Sequence, residues 1–285
     1  MQKYIIVTES GADLPDYIIK RDDVYSLPMH VSMDGIDYED YDLSTEELCS
    51  YYDKTKKVPT TSAVNPEQYR EVFEKINAEN PEALIIHISY SSVVSCTYQN
   101  ALIAADGLKN IYHIDTLNVS VGQGFIVMKT LELLENNPEI ELDDLITAIK
   151  QYSEKTKFVF IPGNLDYLRA GGRVSNAQYL GAAVLKIKPL IELIEGKLIS
   201  TKKYRGHMTA VAKNVIDDFF ADFNADNKEI NIVETPRLGG DIVAAIKACL
   251  ENHGVQTTHW LKTGCVIASH AGPGGFGIAG FMKQP

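Results

Sequence analysis

Short apolar runs recur at wide spacing along the chain: Tyr4–Val7, Leu84–Ile88, Ile111–Ile114, Phe158–Ile161, Ile230–Val233 and Cys265–Ala268. Their length is that of a buried strand. Between several of them the period changes. In 67–80, Tyr69, Val72, Phe73 and Ile76 fall at i, i+3, i+4 and i+7, which gathers one apolar face and leaves Glu, Arg and Lys to water. Asn65-Pro66 opens that helix with a capping side chain and a proline whose missing N–H costs nothing in the first turn. Tyr98, Ala101, Leu102 and Ala105 repeat the pattern, and 122–136, 142–156, 208–222 and 241–252 are further helices by the same reading. Strands alternating with helices predict an α/β fold with a largely parallel sheet.

The order changes near residue 157. An apolar stretch follows in which Glu195-Gly196 reads as a hairpin turn. The chain is therefore divided into an N-terminal α/β domain over 1–157 and a second α/β domain over 158–285, with a boundary at about 155–160. Its 285 residues suit two domains. A hydrophobic fraction of 45% with 23% charged residues excludes intrinsic disorder. The 27 Lys and Arg stand against 38 Asp and Glu, a net charge of −11. That surplus argues against nucleic acid and anionic membranes as broad partners, so any membrane contact is expected to be transient. The four cysteines, Cys49, Cys96, Cys249 and Cys265, form no C-x-x-C pair and no Cys/His spacing that closes a zinc site; they read as reduced thiols. The apolar run at the start is only Ile5–Val7, and no run approaches the ~20 residues of a membrane span. A cytoplasmic protein is expected.

The sequence has no H-E-x-x-H, no G-x-S-x-G and no G-x-x-x-x-G-K-[ST]. Gly272-Pro-Gly274-Gly-Phe-Gly277 fits G-x-G-x-x-G in letters only, because eight residues remain where a dinucleotide site needs a helix and an acidic residue ~20 positions on. The glycines are read instead as a tight turn beside His270. Three hydroxyl-rich segments carry more: Thr8-Glu9-Ser10 after the first strand, Thr60-Thr61-Ser62 before the helix at Pro66, and Ser89 to Ser95 before the helix near Cys96. Each alone is explained by turns and caps, and capping is the simplest account of Ser95. Together, beyond strand ends and at helix N-termini, they suit a small anionic head group such as a carboxylate. His270 reads equally as a structural histidine or as part of that site. Arg173 and Arg205, beside glycines in loops, make a basic cluster with Lys202 and Lys203 in an acidic chain.

These segments resemble those of the DegV family nearly end to end: IIVTESGADLP, VPTTSAVNP, SSVVSCTYQNA, IDTLNVSVGQG, LDYLRAGGRVS, KYRG and SHAGPGGFG, in family order. The resemblance implies two α/β domains with a long-chain fatty acid, palmitate- or oleate-like, in a tunnel between them. It implies no catalytic residue, no metal and no cofactor. The protein would be a carrier that presents the carboxylate to the ATP-binding subunit of a fatty acid kinase for acyl phosphate formation. Carried onto this chain, Thr61, Ser62, Ser95 and His270 fall at the carboxylate, and Arg173 and Arg205 at positions facing the kinase. A monomer is the default. The chain departs from the family at Val93 and Cys96, where glycine is usual, and at Glu9, where Asp is usual; the first two are expected to alter the head-group loop. Two other readings stay open: a serine hydrolase or phosphotransferase using Ser95 and His270, and a lipid-responsive regulator without a kinase.

Overall fold

The computed structural model describes residues 3–174 and 187–283. Ser175, the last residue of the LDYLRAGGRVS segment, lies outside them. The first half of the chain runs β1 (Tyr4–Glu9), a 3-10 turn (Ser10–Ala12), α1 (Asp16–Ile19), β2 (Val24–Leu27), β3 (His30–Met33), β4 (Ile36–Glu39), α2 (Thr45–Thr55) and β5 (Thr60–Ser62). It continues with α3 (Pro66–Glu79), β6 (Leu84–Ser89), α4 (Thr97–Ala104), β7 (Ile111–Asp115), α5 (Ser120–Asn136) and α6 (Leu142–Lys155). Then come β8 (Thr156–Ile161), α7 (Leu165–Gly171), β9 (Ile187–Ile194), β10 (Lys197–Arg205), α8 (Met208–Phe223), β11 (Ala225–Glu234), α9 (Gly240–Asn252), β12 (Thr257–Lys262), α10 (Cys265–Ala271) and β13 (Phe276–Met282).

The fold is α/β, as the pattern predicts. Four parallel strands form one sheet in the order β2-β1-β6-β7, with Ile6 beside both Val24 and Ile86. Both faces are covered, which is why these strands read as continuous apolar runs. Ile5, Val7 and Ile85 pack with Tyr69, Phe73 and Ile76 of α3, while Ile6, Ile86 and Ile88 pack with Ile126 of α5 and with Leu145 and Ile149 of α6. Asn65 caps α3 reciprocally with Gln68, and Pro66 takes the first helical position. A six-stranded sheet, β10-β9-β8-β13-β11-β12, is antiparallel except for β11–β12. Its β9–β10 hairpin turns at Glu195 and Gly196, both at positive φ (47° and 77°), the geometry a two-residue turn demands. Helix α5 lies between the two sheets and is buried along most of Ser120–Leu131.

Two expectations fail. Cys265–Ala268 is not a strand but the first turn of α10. A four-residue apolar run does not distinguish the two periods. The deciding contacts are distant: Asp13 Oδ1 accepts from Gly264 N at 2.7 Å, and Asp40 Oδ1 from Val266 N at 3.0 Å. Thr60–Ser62 is not a loop but β5, bonded to β3 in a three-stranded antiparallel sheet β4-β3-β5 that the pattern does not announce. The glycine-rich tail makes the expected turn beside His270, with Gly272 and Gly274 at positive φ (69° and 85°), and then runs as β13 inside the six-stranded sheet, where side chains of neighbours fill the space above Gly277 and Gly280.

Candidate functional site

The seam between the two large sheets contains a pocket to which both halves of the chain contribute. About 70 Å³ of it is open to the centres of water-sized groups, where one water needs ~10–15 Å³. Its wall is mostly apolar: Met29, Val94 and Val119 from the first half, and Phe158, Phe160, Leu198, Val233, Val266 and Phe276 from the second. Into this wall are set Thr61, Ser62, Ser95, Arg173 and His270. Five of the six residues singled out in the sequence therefore meet in one cavity; Arg205, exposed at the end of β10, is not among its lining residues.

Thr61 arrives on β5, opposite Val31 of β3. His270 arrives on the last turn of α10, and its Nε2 lies 2.9 Å from Thr61 Oγ1, a hydrogen bond between residues 209 positions apart. The other side of the ring is pressed against α7. A Cβ on Gly171 would stand 2.3 Å from His270 Nδ1, so only glycine allows this approach. Burial pushes the His270 imidazole down to about 4, and the neighbouring Arg173 guanidinium adds to that. At neutral pH the histidine is uncharged, and among the described lining residues Arg173 is the fixed positive charge. Arg173 is exposed, with Nη1 donating to Gly171 O at 2.8 Å.

Ser95 stands just before α4, where its hydroxyl accepts from Thr97 N at 3.2 Å and meets Thr97 Oγ1 at 2.7 Å. Ser95 thus lines the cavity while its hydroxyl serves the first turn of α4. No Ser95–His270 hydrogen bond forms; the histidine bonds Thr61 instead. The arrangement has hydroxyls, a neutral imidazole and a guanidinium around an apolar cavity, without the paired base that activates a serine. It is suited to holding an anionic end while an apolar body lies along the wall.

Glu9 explains how the Ser89–Ser95 segment is held. Its carboxylate is fully buried and accepts from Tyr90 N at 3.0 Å and from Gln123 Nε2 at 2.8 Å, with His87 Nε2 at 2.7 Å and the Tyr69 hydroxyl on its other oxygen. Burial pushes this carboxyl up, but the bonds from His87, Tyr69 and Gln123 outweigh it and keep it below its usual range. Thr8 is also buried, its hydroxyl on Ile88 O, so the first hydroxyl segment supports the pocket without lining it. Val93 and Cys96, expected to alter the head-group loop, are exposed and are not among the lining residues of the cavity. Val93 instead covers Gly196 of the hairpin, to which Ser91 also donates through Gly196 O at 2.9 Å. Three polar lining residues escaped the sequence reading of the site: Ser120, Thr235 and Thr263. The Thr263 hydroxyl is buried and has no hydrogen-bond partner among the described residues. They are single polar residues in unremarkable contexts, and only the folding of β11, α5 and α10 onto one seam assembles them.

The family described as "Uncharacterised protein, DegV family" matches residues 3–283. A DegV domain-containing protein of Clostridium perfringens is 32% identical over 276 residues, 96% of each chain. A fatty acid-binding protein of Thermotoga maritima is 28% identical, with 97% of each chain covered. The solved structure of a fatty-acid-binding DegV family protein from Thermus thermophilus superposes with a TM-score of 0.88 at 26% identity, covering 99% of this chain and all of that one.

The neutral imidazole has a measurable consequence. In the unfolded chain His270 takes up a proton near pH 6.5, whereas in the fold it resists protonation down to about 4. Between those values the unfolded state holds more protons, so stability is fully present above pH 6.5 and declines as pH falls. His113, pushed to about 4 by burial and by His87, acts in the same window. Urea midpoints of the parent chain measured from pH 7 to pH 4.5 should therefore drop relative to those of His270→Gln as pH falls, whereas Asp13 and Asp40, pushed up by burial, act in the opposite direction equally in both proteins. An identical slope in both would show that His270 titrates in the fold as it does in the unfolded chain.

Proposed function

The chain belongs to the DegV family, and from that membership we propose that it carries a long-chain fatty acid between its 1–157 and 158–285 domains and presents the carboxylate to an ATP-using fatty acid kinase. The observation that supports this most is the pocket in which Thr61, Ser62, Ser95 and His270 share an apolar cavity. DegV proteins bind fatty acids, as the Thermus and Thermotoga relatives do. In this reading the Thr61 and Ser95 hydroxyls and the N-terminus of α4 receive the carboxylate, and the acyl chain lies along Phe158, Phe160, Val233 and Phe276.

The magnitudes agree with a carrier. Burying ~14 methylenes at ~0.8 kcal/mol each gives a gross gain near ~11 kcal/mol, from which the costs of association and ordering are subtracted. A carboxylate taken from water needs several donors in return. Two hydroxyls, a helix N-terminus and the Arg173 charge provide them, and none of these groups does covalent work. The hydrolase reading has no Ser95–His270 bond to support it. No helix among the described residues is long and apolar enough to cross a membrane. The protein is read as a cytoplasmic monomer whose acidic surface keeps it off anionic bilayers while Arg173 and Arg205 offer a local basic face to the kinase.

Two measurements test this. Thr61→Ala or Ser95→Ala should weaken binding of a C16 or C18 fatty acid about tenfold or more, the worth of a hydrogen bond to a charged group, and weaken the matching fatty alcohol far less; equal losses would reject the carboxylate role. Arg205→Glu should suppress acyl phosphate formation when lipid-loaded protein, ATP and the kinase subunit are mixed, with lipid affinity unchanged. Undiminished turnover would remove Arg205 from the docking face.

A further inference from the structure

Helices α8 and α9 pack beside one another over the six-stranded sheet, away from the lipid pocket. Cys249 and His253 are four positions apart at the end of α9 and so lie on one face. Asp217 of α8 meets them, with its Oδ1 3.3 Å from Cys249 Sγ and 2.7 Å from His253 Nε2. All three donor atoms lie within 4.8 Å of one another. We propose that Asp217, Cys249 and His253 form a binding site for a zinc-class divalent cation, with the fourth tetrahedral position left to water.

The geometry supports that assignment. Metal–donor distances of about 2.0–2.3 Å place tetrahedral donors roughly 3.3–3.6 Å apart. The Sγ–Oδ1 pair is already there, and the Nε2–Oδ1 pair needs to open by only roughly 0.6 Å, a small side-chain rotation. The ligands are held in advance. The His253 ring stacks on Phe220 at 4.4 Å, its backbone N–H donates to Cys249 O at 3.1 Å, and its carbonyl accepts from Asn227 Nδ2 at 3.2 Å. Cys249 is buried, whereas Asp217 and His253 are partly open to solvent and leave an entry path. Thiolate, imidazole and carboxylate together suit zinc and its neighbours and not magnesium or calcium, which take oxygen ligands. The sequence hides the site because its third ligand comes from another helix, 32 residues before Cys249.

The cation takes Cys249 as its thiolate: the S–H bond breaks, the sulfur electron pair goes to the metal, and the proton goes to solvent, so affinity rises with pH. A cation here would tie α8 to α9 and stabilise the second half of the chain.

Cobalt(II) added to the full-length, chelator-stripped protein is the probe. One equivalent should bind with a near-ultraviolet thiolate-to-cobalt band and visible bands of tetrahedral intensity, zinc should displace it, and the melting temperature should rise by several degrees. Cys249→Ser should abolish the thiolate band, and His253→Gln should weaken binding at least tenfold, with circular dichroism confirming that both variants are folded. Absence of the band in the folded parent protein would overturn the site, as would its persistence in Cys249→Ser, which would point to exposed Cys96.

Discussion

The pocket depends on one constraint: α10, near the end of the chain, must stay docked on residues near its beginning. Two buried carboxylates do this. Asp13 and Asp40 accept the N–H groups of Gly264 and Val266 at the open end of α10, where unsatisfied donors and the helix dipole favour negative charge. Asp13 is also fixed by the Ser120 hydroxyl at 2.5 Å, and Asp40 by its own N–H on Met29 O. Both are almost completely buried, and burial pushes both carboxyls up. Such groups are tolerated in an interior only when hydrogen-bonded, so they fix the helix sharply or not at all. With one end of α10 held, its other end carries His270 to Thr61. The small β4-β3-β5 sheet completes the unit, since Asp40 follows β4 and Thr61 sits on β5.

That constraint also explains what could be read from the sequence and what could not. The α3 start was legible because Asn65, Pro66 and Gln68 settle it locally. The hairpin at Glu195-Gly196 was legible because only certain residues adopt its turn. Cys265–Ala268 was misread because the groups that make it a helix stand more than 220 positions earlier. Thr60–Ser62 was misread because a three-residue strand is created by its partner, not by its own pattern. The candidate site fared better than the local structure. Thr61, Ser62, Ser95, Arg173 and His270 meet in one cavity although they come from four separate segments, and the family resemblance, not periodicity, drew them together. Glu9 stood out only as a departure from the family; its role under Tyr90 is visible only in three dimensions.

The chemistry of the pocket is that of holding. Its histidine is kept neutral, its serine is engaged with Thr97, and Arg173, the one cation among its described lining residues, is exposed. An enzyme site would invest burial in activating a nucleophile. Here burial produces an apolar wall with a few hydroxyls, one of them, on Thr263, without a partner among the described residues. A ligand with an apolar body and an oxygen-bearing end satisfies both features at once.

Native mass spectrometry of the protein as purified from cells, followed by extraction and identification of what it holds, tests this most directly. The account predicts an added mass matching one long-chain fatty acid per chain, released only on denaturation. Protein that is consistently empty, and that takes up neither palmitate nor oleate when they are offered, would contradict it.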